Sequence, residues 1–215
     1  MIKKSTLLVI NELMERYSAL FICKKDITNA LIAICNTYRH NHKLLICGNG
    51  GSAADSEHIV GELMKGFLLS RKLKHSLYQK LKNLYPENAA YFFNNLQESL
   101  PALSLVNQVA LTTAFSNDQS ADLVFAQQVL GLGNEGDILL GISTSGNSDN
   151  IIYAMQIAKA KHMITIALTG KTGGKLQNFS DICIKVPELN TYKIQELHLP
   201  IYHALCIAIE NEFFT

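Results

Sequence analysis

The chain contains no tryptophan, only four prolines in 215 residues, and no excess of charge of either sign: 19 Lys plus Arg stand against 18 Asp plus Glu. A formal net charge of +1 supplies no global field for nucleic acid or an anionic membrane, so any anionic ligand must be captured locally. No apolar run approaches the ~18 residues that span a bilayer. The N-terminal run in "MIKKSTLLVINELMERY" is cut by Asn11, Glu12, Glu15 and Arg16 before a signal-peptide core is complete. The five cysteines (Cys23, Cys35, Cys47, Cys183, Cys206) are odd in number, form no CxxC and mostly lie inside apolar runs. They read as reduced core residues, and the chain as a soluble, cytoplasmic protein. With 48% hydrophobic residues, the length suits one domain with a sizeable core.

Apolar residues recur at helical spacing from about Ser5 to Leu20 and again from about Ile27 to Tyr38, before any strand. Five short apolar runs then read as strands: "KLLIC" (43–47), "ALSLV" (102–106), "ILLGIS" (138–143), "MITIALT" (163–169) and "ICIKV" (182–186). Helical stretches separate them, among them 52–65, "NQVALTTAF" and "NSDNIIYAMQIAKAK". This alternation predicts an α/β fold, a parallel sheet covered by helices on both faces. The final stretch, about Lys193 to Phe213, reads as an apolar helix that Pro200 should kink or divide. Residues 70–100 break the rhythm with two helix-like pieces meeting around Pro86: either a mobile surface hairpin, or a lid or subunit contact.

Four features carry candidate chemistry. "GNGGS" (48–52) follows the first strand and opens a helix, where free backbone amides suit a phosphate or a polyhydroxyl group; equally, its glycines could serve only a tight turn. It departs from the dinucleotide fingerprint because Ala53 stands where the third glycine belongs. "GKT" (170–172) fails as a P-loop because Thr165 occupies the first glycine position. "GISTSGNSDN" (141–150) repeats the strand-turn-helix arrangement with Ser143, Thr144, Ser145 and Ser148, four hydroxyls that suit phosphate oxygens and exceed what helix capping requires. His58 and Glu62 share one helix face at i, i+4, a spacing for a catalytic carboxylate beside an imidazole, for two metal ligands, or for an exposed ion pair. The last helix places Gln195, Glu196, His198 and His203 among Ile, Leu and Ala, where each polar group must find a partner.

Taken together, "CGNGGSAADSEHIVGEL", "SNDQ", "EGDILLGISTSGNSDNI", "ALTGKTGGKL" and "KIQELHLPIYH" resemble sugar isomerase (SIS) domains and, within them, the phosphoheptose isomerases of the sedoheptulose 7-phosphate type. The resemblance implies a doubly wound, five-stranded parallel sheet, with residues 1–215 forming a single SIS domain that has N-terminal helices over 1–42 and a helical insertion over 70–100. It implies a homotetramer with active sites at subunit interfaces, no nucleotide cofactor, and conversion of a ketose phosphate to an aldose phosphate through an enediol. By position, Ser143, Thr144, Ser145 and Ser148 would hold the phosphate, and Asn49, Gly50, Gly51, Ser52, Asn117, Asp118 and Gln195 would contact the substrate. Glu62 would be the base and His203 the acid. Family members can bind zinc, in which case His58, Glu62, Gln195 and His203 match the ligand positions. His198 also matches, but it lies five residues from His203, so one of the two should point away from the site, and His203 is the better placed.

Two features depart from the family. The 70–100 segment is longer than the usual crossover and enters just after the catalytic helix, and "NTYKIQ" replaces a small or acidic residue and Arg before the glutamine. Both bear on which sugar phosphate fits, heptose or another. The alternative class is a non-catalytic SIS protein that binds phosphosugar or associates with a replication initiator, which would not need Glu62 and His203. A DNA-binding sensor is disfavoured, because the residues before the first strand are too few and too neutral for a helix-turn-helix domain.

Overall fold

The computed structural model describes residues 2–215. Chain order runs α1 (Lys4–Arg16), a 3-10 turn (Ser18–Cys23), α2 (Lys24–Arg39), β1 (Leu44–Gly48), α3 (Gly51–Met64), α4 (His75–Leu84), α5 (Pro86–Asn95), β2 (Ala102–Ser104), α6 (Val109–Asp118), α7 (Val124–Leu132), β3 (Ile138–Ser143), α8 (Asp149–Ala160), β4 (Ile164–Thr169), β5 (Ile182–Lys185) and α9 (Thr191–Phe214). All strand pairs are parallel, in the order β2-β1-β3-β4-β5. The central strands β1 and β3 are buried throughout, as expected of parallel strands covered on both faces.

Alternate residues of each strand feed two separate cores. Leu44, Ile46, Ile138, Leu140 and Ile142 pack beneath α1, α2, α3 and α9. Leu45, Cys47, Leu139 and Ala167 pack beneath α7 and α8. The five cysteines are free, and all but the half-buried Cys183 are buried, in keeping with their reading as core residues. Among the described residues, no helix is long and apolar enough to cross a membrane.

Several boundaries differ from the sequence reading. The first helix stops at Arg16 rather than Leu20, because Tyr17 leaves helical geometry (φ −132°, ψ 72°) and a 3-10 turn follows. The strand expected over 102–106 pairs only through Ser104, being an edge strand bonded on one side. Its helix begins at Val109 rather than Asn107. Pro200 does not divide the last helix. Although the ring removes one backbone donor, the surrounding turns are held by burial of Ile194, His198, Ile201, Tyr202 and Leu205.

The 70–100 segment is a helical hairpin. Its base is closed by an antiparallel bridge between Lys72 and Gln97 and by the Glu98 amide donating to the Arg71 carbonyl at 2.7 Å. Helices α4 and α5 pack on each other through the rings of Tyr78 and Phe93, whose centroids lie 4.6 Å apart, and through buried Ala89. Beneath the hairpin, Arg71 and Glu210 form a fully buried ion pair at 2.8 Å. The Arg71 guanidinium also donates to the carbonyls of Leu63 (2.6 Å) and Glu62 (2.9 Å), the orphan acceptors at the end of α3. Burial alone would raise the Glu210 pKa, but the amides of Phe67, Leu68 and Leu69 together with Arg71 outweigh it and hold the carboxyl below the usual range.

Candidate active site

In a sheet of this order the chain leaves in opposite directions from β1 and β3, and the crevice at their carboxyl ends is where open α/β sheets take ligands. The β1–α3 turn and the β3–α8 loop meet there. They enclose a cavity of about 320 Å³ lined by Asn49, Gly50, Gly51, Ser52, Ser143, Thr144, Ser148 and Gln195, together with Ile142 and Thr191. The two loops are tied by a reciprocal amide pair: Asn49 Nδ2 donates to Asn150 Oδ1 (2.9 Å), and Asn150 Nδ2 donates to Asn49 Oδ1 (3.0 Å).

Glycine has a steric reason at these turns. Gly50 sits at φ 56°, where L side chains are strained. A Cβ on Gly146, at φ 65°, would stand 2.1 Å from the Gly173 carbonyl oxygen. Ser148 occupies the N-cap position of α8 but makes no side-chain capping bond. Its Oγ lies 3.1 Å from Ser143 Oγ instead, so both hydroxyls remain with the cavity. Ser145, on the same loop, is exposed, and its Oγ accepts the Asn147 amide at 3.1 Å. The first turns of α3 and α8 therefore present backbone amides and hydroxyls without side-chain caps, an arrangement suited to an anion.

A second cluster lies farther along α3, where α9 packs against it. His58 Nε2 is 3.4 Å from Glu62 Oε1 and 3.4 Å from His203 Nε2. The His58 and His203 rings meet edge to face with centroids 4.9 Å apart, and Lys65 Nζ approaches Glu62 Oε2 at 3.2 Å. On its other side, His58 Nδ1 lies 3.1 Å from the Tyr202 hydroxyl, which donates to Asp55 Oδ1 at 3.1 Å. Burial, then the neighbouring His58, push the His203 pKa below its ordinary value, with Glu62 opposing. Burial raises Asp55 against the opposing Tyr202 hydrogen bond and His58.

His198 faces the interior, fully buried against the backbone of Thr169. Burial brings its pKa down to about 4. Of the two histidines on α9, His203 is the one in the cluster.

The remaining positions do not join that cluster. Gln195 stays at the cradle, where its Nε2 would lie 2.5 Å from a Cβ on Gly51. Eight residues separate it from His203, about 12 Å of helix rise. Asn117 and Asp118 end α6 on an exposed face, with Asn117 Nδ2 donating to Asp118 Oδ1 at 2.9 Å, and neither lines the cradle. For zinc, the imidazole and carboxylate donors are the right type, and 3.4 Å is close to the edge of a tetrahedron with ~2.1 Å bonds, about 3.4 Å. Among the described residues, however, no group of three or more His, Cys, Asp or Glu is set to hold a metal. The donor chemistry fits, while closure on one point would take side-chain rearrangement.

Sequence reasoning missed Asp55, Tyr202, Arg71 and Glu210. Asp55 precedes His58 by three residues on one helix, and Tyr202 adjoins His203, so both carried a local signal. Arg71 and Glu210 are 139 residues apart and carried none.

A glycine turn and a hydroxyl loop thus meet at the switch point of a five-stranded parallel sheet. The SIS domain family model matches residues 88–170. The phosphoheptose isomerase of Aneurinibacillus thermoaerophilus is 39% identical over 177 residues, covering 82% of this chain and 76% of its own. The structure of a phosphoheptose isomerase from Francisella tularensis superposes with a TM-score of 0.71 at 34% identity, covering 97% of this chain and 94% of that one. That of the Neisseria gonorrhoeae phosphoheptose isomerase has a TM-score of 0.71 at 31% identity, with 96% and 94% covered. The chain belongs to the phosphoheptose isomerase family and is an aldose-ketose isomerase.

Proposed function

We propose that the chain interconverts sedoheptulose 7-phosphate and D-glycero-D-manno-heptose 7-phosphate through an enediol, acting as a single SIS unit with the hairpin as an insertion. The observation that carries the reading is the combination of a phosphate cradle with a carboxylate-imidazole cluster on the helix that leaves it. The phosphate is held by Ser143, Thr144, Ser145, Ser148 and the α8 amides, and the sugar chain by Asn49, Gly50, Gly51, Ser52 and Gln195. The Glu62 carboxylate takes the proton from C1 of the ketose, and the developing enediolate is met by a proton from His203. Glu62 then returns its proton at C2 while the O1 hydroxyl gives its proton back to His203 as the C1 aldehyde forms. One carboxylate serves both carbons because neighbouring carbons of an enediol lie within reach of one side chain.

When zinc is bound, His58, Glu62 and His203 are the residues that would hold it, with Gln195 left at the cradle, and it would supply Lewis acidity at the sugar oxygens. Elemental analysis of protein purified without chelator tests that occupancy. The cytoplasm is the proposed compartment, with free cysteines in support. A homotetramer is proposed because α6 has no buried residue and leaves Val109 68% exposed, while the hairpin leaves Leu84 and Tyr91 bare. In such an assembly Asn117 and Asp118 complete the site across a subunit boundary, and the hairpin is a subunit contact.

A panel of ketose phosphates followed by NMR tests the reading. Turnover of the seven-carbon substrate is expected, and Glu62→Gln should lower kcat at least a hundredfold with phosphosugar binding preserved. Binding without turnover of any member, with or without zinc, supports the phosphosugar-binding class instead.

A further inference from the structure

The cluster contains a hydrogen-bond chain whose direction can be worked out. Asp55 Oδ2 is buried without a partner, so the Tyr202 hydroxyl at 3.1 Å is the hydrogen bond its carboxyl group has in this structure. An ionised carboxylate only accepts, and a phenol has one hydrogen, which goes to Asp55. The Tyr202 oxygen is then an acceptor toward His58 Nδ1 at 3.1 Å, so that nitrogen must carry the hydrogen. His58 Nε2 is thereby turned toward Glu62 Oε1 and His203 Nε2, each 3.4 Å away.

We propose that Asp55 and Tyr202 are positioning residues: they hold the hydrogen of His58 on Nδ1 and so keep its Nε2 aimed at Glu62 and His203, the groups given the base and acid roles. Neither residue touches substrate in this scheme. Tyr202 is 2% exposed, and its ring packs edge to face on both His58 (5.4 Å between centroids) and His203 (5.0 Å). The hydroxyl is therefore held in place by packing rather than by its hydrogen bonds. The same Nδ1–H form of His58 leaves Nε2 free toward Glu62 and His203, the form in which it could also bind a cation.

The kinetic part of the proposal rests on the acid role assigned to His203, whereas the tautomer part does not. Long-range nitrogen-proton correlation spectra of the metal-free, uniformly labelled protein read each tautomer directly. The expected result is a hydrogen on His58 Nδ1 in the native chain. Tyr202→Phe, which keeps the ring, should populate both forms of His58 and lower kcat about ten- to a hundredfold, with KM for the sugar phosphate nearly unchanged. Asp55→Ala frees the phenol hydrogen for Nδ1 and should reverse the His58 tautomer. Native spectra without a hydrogen on His58 Nδ1, or a His58 ring that ignores both substitutions, overturn the proposal. A tautomer change without a change in kcat upholds the hydrogen-bond chain and overturns its part in catalysis.

Discussion

At the strand ends the cradle is assembled from turns that are local in sequence, each a strand, a glycine turn and a helix start, with the second loop answering the first through the Asn49–Asn150 amide pair. The cluster beside it is assembled from side chains 145 residues apart, brought together because α3 and α9 bury their apolar faces in one core. The cradle owes its chemistry to main-chain amides and hydroxyls, which need only the turn. The cluster owes its chemistry to the relative position of two helices and to buried polar groups that fix ring orientation. Damage to packing should therefore reach the cluster first, and removal of a single hydroxyl should reach only the cradle.

Arg71→Met should separate the two most strongly. It strips the buried partner from Glu210 and the donors from the end of α3, costing about 3–5 kcal/mol of stability in denaturant titration. Turnover measured well below the unfolding transition should fall more than phosphosugar affinity does. Equal losses of both would mean the two regions move as one.

His198 lies between Gln195 and His203 on α9 and should test what joins them. Its folded pKa of about 4 lies below the ordinary 6.5, so the unfolded chain binds more protons between those values. Stability due to neutral His198 is complete above about pH 6.5 and is lost as pH falls toward 4, by on the order of 3 kcal/mol. His198→Leu should flatten the stability profile over that window; an unchanged acid slope would assign it to other groups.

The smallest effect belongs to the cradle alone. Ser148→Ala removes one hydroxyl facing Ser143 and should weaken phosphosugar binding about tenfold by calorimetry, with the unfolding midpoint unmoved. Unaltered affinity would move the phosphate away from this loop.

The strands were legible because buried parallel strands are short apolar runs, and "ILLGIS" forms β3 over its full predicted span. The edge strand was overread, because the apolar residues of "ALSLV" continue past Ser104 while the ladder does not. Pro200 leaves α9 undivided for a related reason: the cost of one missing donor is offset by burial along the helix. In the site, the hydroxyl loop was legible as a crowd of one residue type, and His58 with Glu62 as a helical pair. The separation of Gln195 from His203 was legible only as eight residues along one helix, since matching positions do not state where side chains point.

Sequence by itself determined the α/β class, the two ligand-facing turns and the presence of a carboxylate-imidazole pair, because each depends on residues within about two helical turns of one another. Only the tertiary structure decided that His203 and not His198 joins that pair, that Tyr202 and Asp55 stand behind it, and that Arg71 closes the helix below. Those outcomes depend on how α9 is rotated and seated against α3, which is set by the whole buried face rather than by any local run of residues.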